Sequence, residues 1–143
     1  MVELNVFIKR IQNIDKFLKK VAPDVLMKNE REIISLNNAQ LLEGKNADDK
    51  IMQRGYSKAY GNKRRKKGLQ TSFVDLKFSG FYQESKKGEK AEGGINIVSG
   101  ASYEKYLRGN FHNHVGLTKR NADKVADLIS EPLAELIKNY ISK

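Results

Sequence analysis

Five consecutive cations, Lys63-Arg64-Arg65-Lys66-Lys67, stand near the middle of this chain with Gly68 directly behind them. Like charges this close repel one another, so the run is held in place only where water, salt or an anionic partner screens it. As a block it therefore belongs at a surface. The residues before it, Arg54-Gly55-Tyr56-Ser57-Lys58-Ala59-Tyr60-Gly61-Asn62, interleave tyrosines with cations, and those after it, Phe73-Val74-Asp75-Leu76-Lys77-Phe78-Ser79-Gly80, alternate apolar with polar. That order predicts a basic amphipathic segment, a turn, and a half-buried strand. Both a solvated face and a polyanion site are compatible with the charges alone, while the flanking patterns set the run inside a folded unit. Exposed charges contribute little to stability, so neutral replacement of all five is expected to leave the fold nearly intact.

A chain of 143 residues has the size of one domain, and 39% hydrophobic content suffices for a core. The expectation is a single domain over 1–143, divided into an N-terminal helical region over 1–43, a basic segment and hairpin over 44–100, and C-terminal helices over 101–143. No stretch is apolar enough to cross a membrane, and the opening Met1-Val2-Glu3-Leu4-Asn5 lacks the pattern of a secretory signal. With no cysteine, disulfides, thiolate metal sites and Cys nucleophiles are excluded. The net charge of +10, from 27 Lys and Arg against 17 Asp and Glu, favours anionic partners without choosing among nucleic acid, membrane surface and acidic protein.

Phe7, Ile11, Ile14, Leu18 and Val21 recur in steps of four and three, one stripe of a helix. Pro23 is expected to end that helix and to open a second one, carrying Leu26, Ile33, Leu36 and Leu41 inward and stopping by Gly44. Asn29, Asn37, Asn38 and Gln40 make this second helix unusually polar, as exposure or a subunit interface would. Residues 45–53 read as a loop; Asp48-Asp49 lacks the ligand spacing of a calcium loop. Ile95-Asn96-Ile97-Val98-Ser99 is expected to pair antiparallel with the strand ending near Gly80. Lys86, Lys87, Glu89, Lys90 and Glu92 would then occupy a mobile hairpin tip over Lys86 to Gly94 that embraces a neighbouring subunit or merely solubilises. A short helix should carry Tyr103, Tyr106 and Leu107 on one side and break at Gly109. Thr118 fits an N-cap, and Val125, Leu128, Ile129, Leu133, Leu136, Ile137, Tyr140 and Ile141 form a wide stripe, of which Leu128, Ile129, Leu136 and Ile137 are expected to be buried. Pro132 either kinks one long helix or lets Ser130 cap another. The fold class is α+β, with N-terminal helices and a C-terminal helix packed on a small antiparallel β-sheet.

Enzyme chemistry finds little to stand on. His112-Asn113-His114 places two imidazoles on one side of an extended segment, but further metal ligands would have to be carboxylates or come from another subunit. Gly55 to Gly68 does not form a phosphate loop, and Gly93-Gly94 is a turn signal. Glu30, Glu32, Glu84 and Glu104 are scattered over segments of different type, with no acid–base pairing in sequence. The expectation is a protein that is not an enzyme, with no catalytic or metal site and no cofactor.

The order Tyr56-Ser57, Lys63 to Gly68, Val74-Asp75-Leu76, Ser79-Gly80-Phe81-Tyr82 and Ser85 resembles that of the tail-completion and neck (head-tail connector) structural proteins of tailed bacteriophages. The resemblance continues through Ile95 to Ser99, Tyr103 to Leu107 and Gly116-Leu117-Thr118, covering residues 40–143. It implies a non-enzymatic virion component, made in the host cytoplasm, forming a homo-oligomeric ring at the portal vertex, neck or tail end. Its partners would be portal, neck or tail proteins and the phage DNA of the channel, with no membrane. Arg54, Tyr56, Lys58, Tyr60, Lys63, Arg64, Arg65, Lys66 and Lys67 would be contact residues for a polyanion or a neighbouring subunit. The alternative is a nucleic-acid-binding protein in which segment 54–67 grips phosphates and Tyr56 and Tyr60 stack on bases.

Overall fold

The computed structural model describes residues 3–52 and 55–143. It is α+β: helices pack on a two-stranded antiparallel sheet. The chain opens with α1 (Leu4–Gln12), α2 (Ile14–Lys28) and α3 (Glu30–Leu42). The two breaks fall at asparagines. Asn13 and Asn29 each turn the side-chain amide back on the carbonyl four residues earlier, Lys9 at 2.8 Å and Val25 at 3.0 Å, and their backbones leave helical geometry at ψ 10° and 17°. Short polar side chains end helices in this way by competing for backbone partners. Pro23, expected to separate the first two helices, instead lies buried inside α2. It removes one ladder hydrogen bond there without ending the helix.

Helix α3 stops in a Schellman turn: Gly44 N–H donates to Leu41 O at 2.8 Å and Lys45 N–H to Gln40 O at 3.0 Å, with Gly44 at φ 76°. Helix α4 (Lys58–Lys66) ends in the same way at Gly68, φ 71°, so the turn expected after the basic run is present. Ser57 caps its start by accepting the Tyr60 N–H.

The expected strand over 73–80 is absent, and the hairpin is drawn from other residues. After a single helical turn, α5 (Phe81–Glu84), strand β1 (Lys86–Ala91) pairs with β2 (Gly94–Ser99) in the register Lys86↔Ser99 to Ala91↔Gly94. Only Glu92 and Gly93 form the turn, with Gly93 at φ 69°. Thus Lys86, Lys87, Glu89 and Lys90 lie in a strand and not at a tip. The alternation of 73–80 comes instead from irregular chain outside any sheet, left-handed at Leu76 (φ 55°), that buries Val74 and Asp75 and half-buries Leu76.

Helix α6 (Glu104–Asn110) runs through Gly109 without breaking, and α7 (Lys119–Ser142) is one helix that passes through Pro132. Thr118 caps α7, its hydroxyl accepting the Asn121 N–H at 3.3 Å. Helix α7 crosses α1, α2 and α3, and the hairpin packs on α2 and α3. One core cluster joins Leu41, Met52, Val74, Tyr82, Ala101 and Leu107; a second joins Ile33, Ile97 and Val125. Of the α7 residues expected to be buried, Ile129, Leu136 and Ile137 are half-buried and Leu128 is 43% exposed. The α7 stripe narrows because only its face toward α1–α3 is covered.

Candidate functional site

The basic helix divides into an inner and an outer set of cations. Arg64 is 1% exposed. Its Nε donates to Gln70 O at 2.9 Å, Nη1 to Lys77 O at 2.5 Å, and Nη2 to the Asp75 carboxylate at 3.0 and 3.1 Å. The guanidinium also lies 4.3 Å from the centre of the Tyr56 ring. Asp75 is fully engaged, accepting in addition from Tyr56 OH at 2.9 Å, Gln70 Nε2 at 2.8 Å and Lys77 N–H at 2.9 Å. Burial, opposed by the Asp75 N–H and reinforced by the Asp75 carboxylate, pushes the Tyr56 phenol up to about 12. Two expected contact residues are thereby reassigned. Arg64 is a buried structural cation, and Tyr56 has one face closed by Arg64 and its hydroxyl held by Asp75, so it is not a free platform for a base. One signal was present in sequence: Asp75 is the only acidic residue between Asp49 and Glu84 and sits between two apolar residues.

The outer set consists of Lys58, Lys63, Arg65, Lys66 and Lys67, all exposed. Lys63 and Lys67 hold their ammonium groups 5.3 and 5.1 Å from the centre of the Phe78 ring, and Arg65 donates to Asn62. Arg54, expected to join them, lies outside the described residues. Beside these cations a cleft of about 690 Å³ opens between α4, the irregular segment 74–80 and α6. Tyr60, Phe78, Tyr103 and Tyr106 line its walls, with Val74 and Leu107 deeper, and no acidic side chain among the described residues borders it. Tyr60, Tyr103 and Tyr106 are each more than a third exposed. The result is an open aromatic cleft with a cationic rim.

The hairpin residues expected at a mobile tip are tied down. Lys86 is buried and donates to Asn37 Oδ1 at 2.6 Å and Asn38 Oδ1 at 2.8 Å. Burial depresses its ammonium to about 7 against the opposing pull of the Glu104 carboxylate. Lys87 pairs with Glu89 at 3.4 Å, Lys90 pairs with Asp24 of α2, and Gly88 N–H donates to Glu30 Oε1 at 2.6 Å. Glu92 alone of the five stays at the exposed turn.

The amides of α3 serve the interior. Asn37 Nδ2 donates to His114 O and Gly116 O, both at 3.0 Å, and Gln40 receives Thr118 N–H and Asn121 Nδ2 on its Oε1. They bind the loop before α7 to α3. The two histidines do not act together: His112 is exposed and His114 buried. His114 Nδ1 lies 2.9 Å from Phe111 O, which can only accept, so Nδ1 carries the proton and Nε2 accepts from Tyr82 OH at 2.7 Å. Burial holds the His114 ring below its usual range, in keeping with this neutral tautomer. Among the described residues no group of three or more His, Asp or Glu is arranged to hold a metal ion. No helix of the described chain is long and apolar enough to cross a membrane.

No protein-family model matches the chain, and no curated protein or solved structure is detectably similar to it.

Proposed function

We propose that this chain is a non-enzymatic structural subunit of a tailed-phage virion, of the neck or tail-completion type, built into a ring at the head-tail junction. The observation that carries the reading is helix α1. Leu4, Val6, Phe7, Ile8 and Ile11 are all exposed, Leu4 at 71%, and no residue of α1 is buried. A helix that leaves this many apolar side chains partly exposed while packing on α7 is what an assembling subunit brings to its neighbours. The resemblance in motif order and the exposed outer cations, suited to acidic neighbours or channel DNA, support the same reading. Light scattering of the purified protein should give a mass several times that of the 16.3 kDa chain, and mass spectrometry of purified particles should find the chain at a fixed copy number. A monomer absent from particles would overturn the reading.

The second reading, nucleic-acid binding through segment 54–67, has the exposed Lys58, Lys63, Arg65, Lys66 and Lys67 in its favour. It requires a mobility shift whose affinity falls steeply with salt and is lost when these cations are neutralised.

A further inference from the structure

The middle of α7 has a composition unlike the rest of this basic protein. Between Lys124 and Lys138 it carries Asp127, Glu131 and Glu135 and no cation, inside a chain of net charge +10. Steps of four set these three carboxylates along one flank of the helix. All three are exposed, and among the described residues none pairs with a cation of its own chain. Beside them stands Leu128, 43% exposed, with exposed Pro132 one turn on. This surface is an apolar knob set among acids.

The α4–α6 cleft is its complement: an apolar, aromatic hollow lined by Lys63, with Lys67 beside the Phe78 ring that forms part of its wall, and with no acidic side chain among the described residues that line it, Asp75 being buried behind Tyr56 and Arg64. No residue of α7 lines that cleft, so the two surfaces of one molecule are not joined to each other. We propose that the segment from Asp127 to Glu135 docks into the α4–α6 cleft of a second copy, Leu128 entering among Tyr60, Tyr103 and Tyr106 while the carboxylates meet the lysines of the rim. The proposal rests on the ring reading and names the contact that builds it. Two different patches that pair between copies form a head-to-tail interface, which closes into a ring when the rotation between neighbours divides a full turn and otherwise runs on as a filament. Tyrosine walls suit such a role, because they give large contact area at low conformational cost.

Charge reversal on each side tests the contact. Lys63→Glu with Lys67→Glu, and separately Glu131→Lys with Glu135→Lys, should each reduce the assembled species in light scattering to monomer. An equimolar mixture of the two variants should restore assembly, since each then offers a surface matched to the other; such rescue also shows that both variants are folded. The chain has no cysteine, so Leu128→Cys combined with Tyr106→Cys should give a disulfide-linked ladder on oxidation, with each single variant giving none. Wild-type assembly that survives either reversal, or a ladder that fails to form, overturns the docking contact and leaves the ring reading standing. A wild-type protein that is monomeric in solution and absent from particles, with no ladder, overturns both. Loss of oligonucleotide binding in the lysine variant with assembly unchanged would make the cleft a nucleic-acid site and overturn the proposal.

Discussion

Arg64 and Asp75 form a buried ion pair, guanidinium Nη2 to carboxylate at 3.0 and 3.1 Å, at the centre of what the sequence presents as a solvent-facing run of cations. The pair joins the basic helix to the irregular segment that floors the aromatic cleft. Removing one partner of such a pair leaves the other charge buried and uncompensated.

Arg64→Gln should therefore destabilise the protein by about 3–5 kcal/mol. Lys63, Lys66 and Lys67 changed singly to Gln should each stay within roughly 0.5 kcal/mol of the parent. Urea denaturation midpoints of the four variants check this; equal midpoints would show that the Arg64 pair contributes nothing to the fold.

Lys86 couples stability to pH. Its ammonium titrates near 7 in the folded protein and near 10.5 when unfolded. Between those values the unfolded state binds the extra proton, so this group makes stability rise as pH increases from 7 toward 10.5 and adds no slope well below 7. Lys86→Met should lack that slope. Thermal unfolding of both proteins from pH 6 to about 10 should show the wild type gaining on the variant; parallel curves would mean that Lys86 stays protonated in the fold.

Two left-handed glycines separate strain from packing. A Cβ at Gly44 would fall 2.5 Å from Phe73 Cδ2, whereas one at Gly68 would meet no atom within 4 Å. Gly68→Ala should cost about 1–2 kcal/mol from backbone conformation alone. Gly44→Ala should cost clearly more, and calorimetry that ranks them the other way would show Phe73 to be free to move aside.

Amide exchange in the isolated protein should protect the ladder N–H groups of Lys86–Ala91, together with Gly88 N–H bound to Glu30, and leave Glu92 and Gly93 fast. Rapid exchange across the whole of 86–94 would return the segment to a mobile tip.

What is legible in the sequence divides along physical lines. The cap at Thr118, the stop at Gly44, the turn at Gly68 and the apolar periods of α3 and α7 are local signals, and they place helices well. Strand β1 leaves no such signal, because its inward residues are Lys86 and Gly88, matched to Asn37, Asn38 and Glu30 across 48 to 58 positions of sequence. Alternation over 73–80 reports which side chains turn inward, but neither the path of the backbone nor a ladder partner. Arg64 is hidden by its neighbours: charge in a run says nothing about which member turns inward. Leu128 is misplaced because periodicity marks an apolar stripe without saying how much of it another element covers. The cleft requires the meeting of α4 with α6, segments more than 35 residues apart in the chain.

The asparagine joints at positions 13 and 29 divide the N-terminal part of the chain into separate helices. A straight helix from residue 4 to 42 would reach roughly 58 Å at about 1.5 Å per residue, nearly twice the diameter of a small domain. Two side-chain amides divide that rod into three articulated lengths, all of which meet α7. The bends reside in single residues with no loop between helices, so each has little slack. Alanine at position 13 would remove the amide bond to Lys9 O, the local competition that favours a break there, and leave the packing of α1 on α7 and α2 to hold the bend.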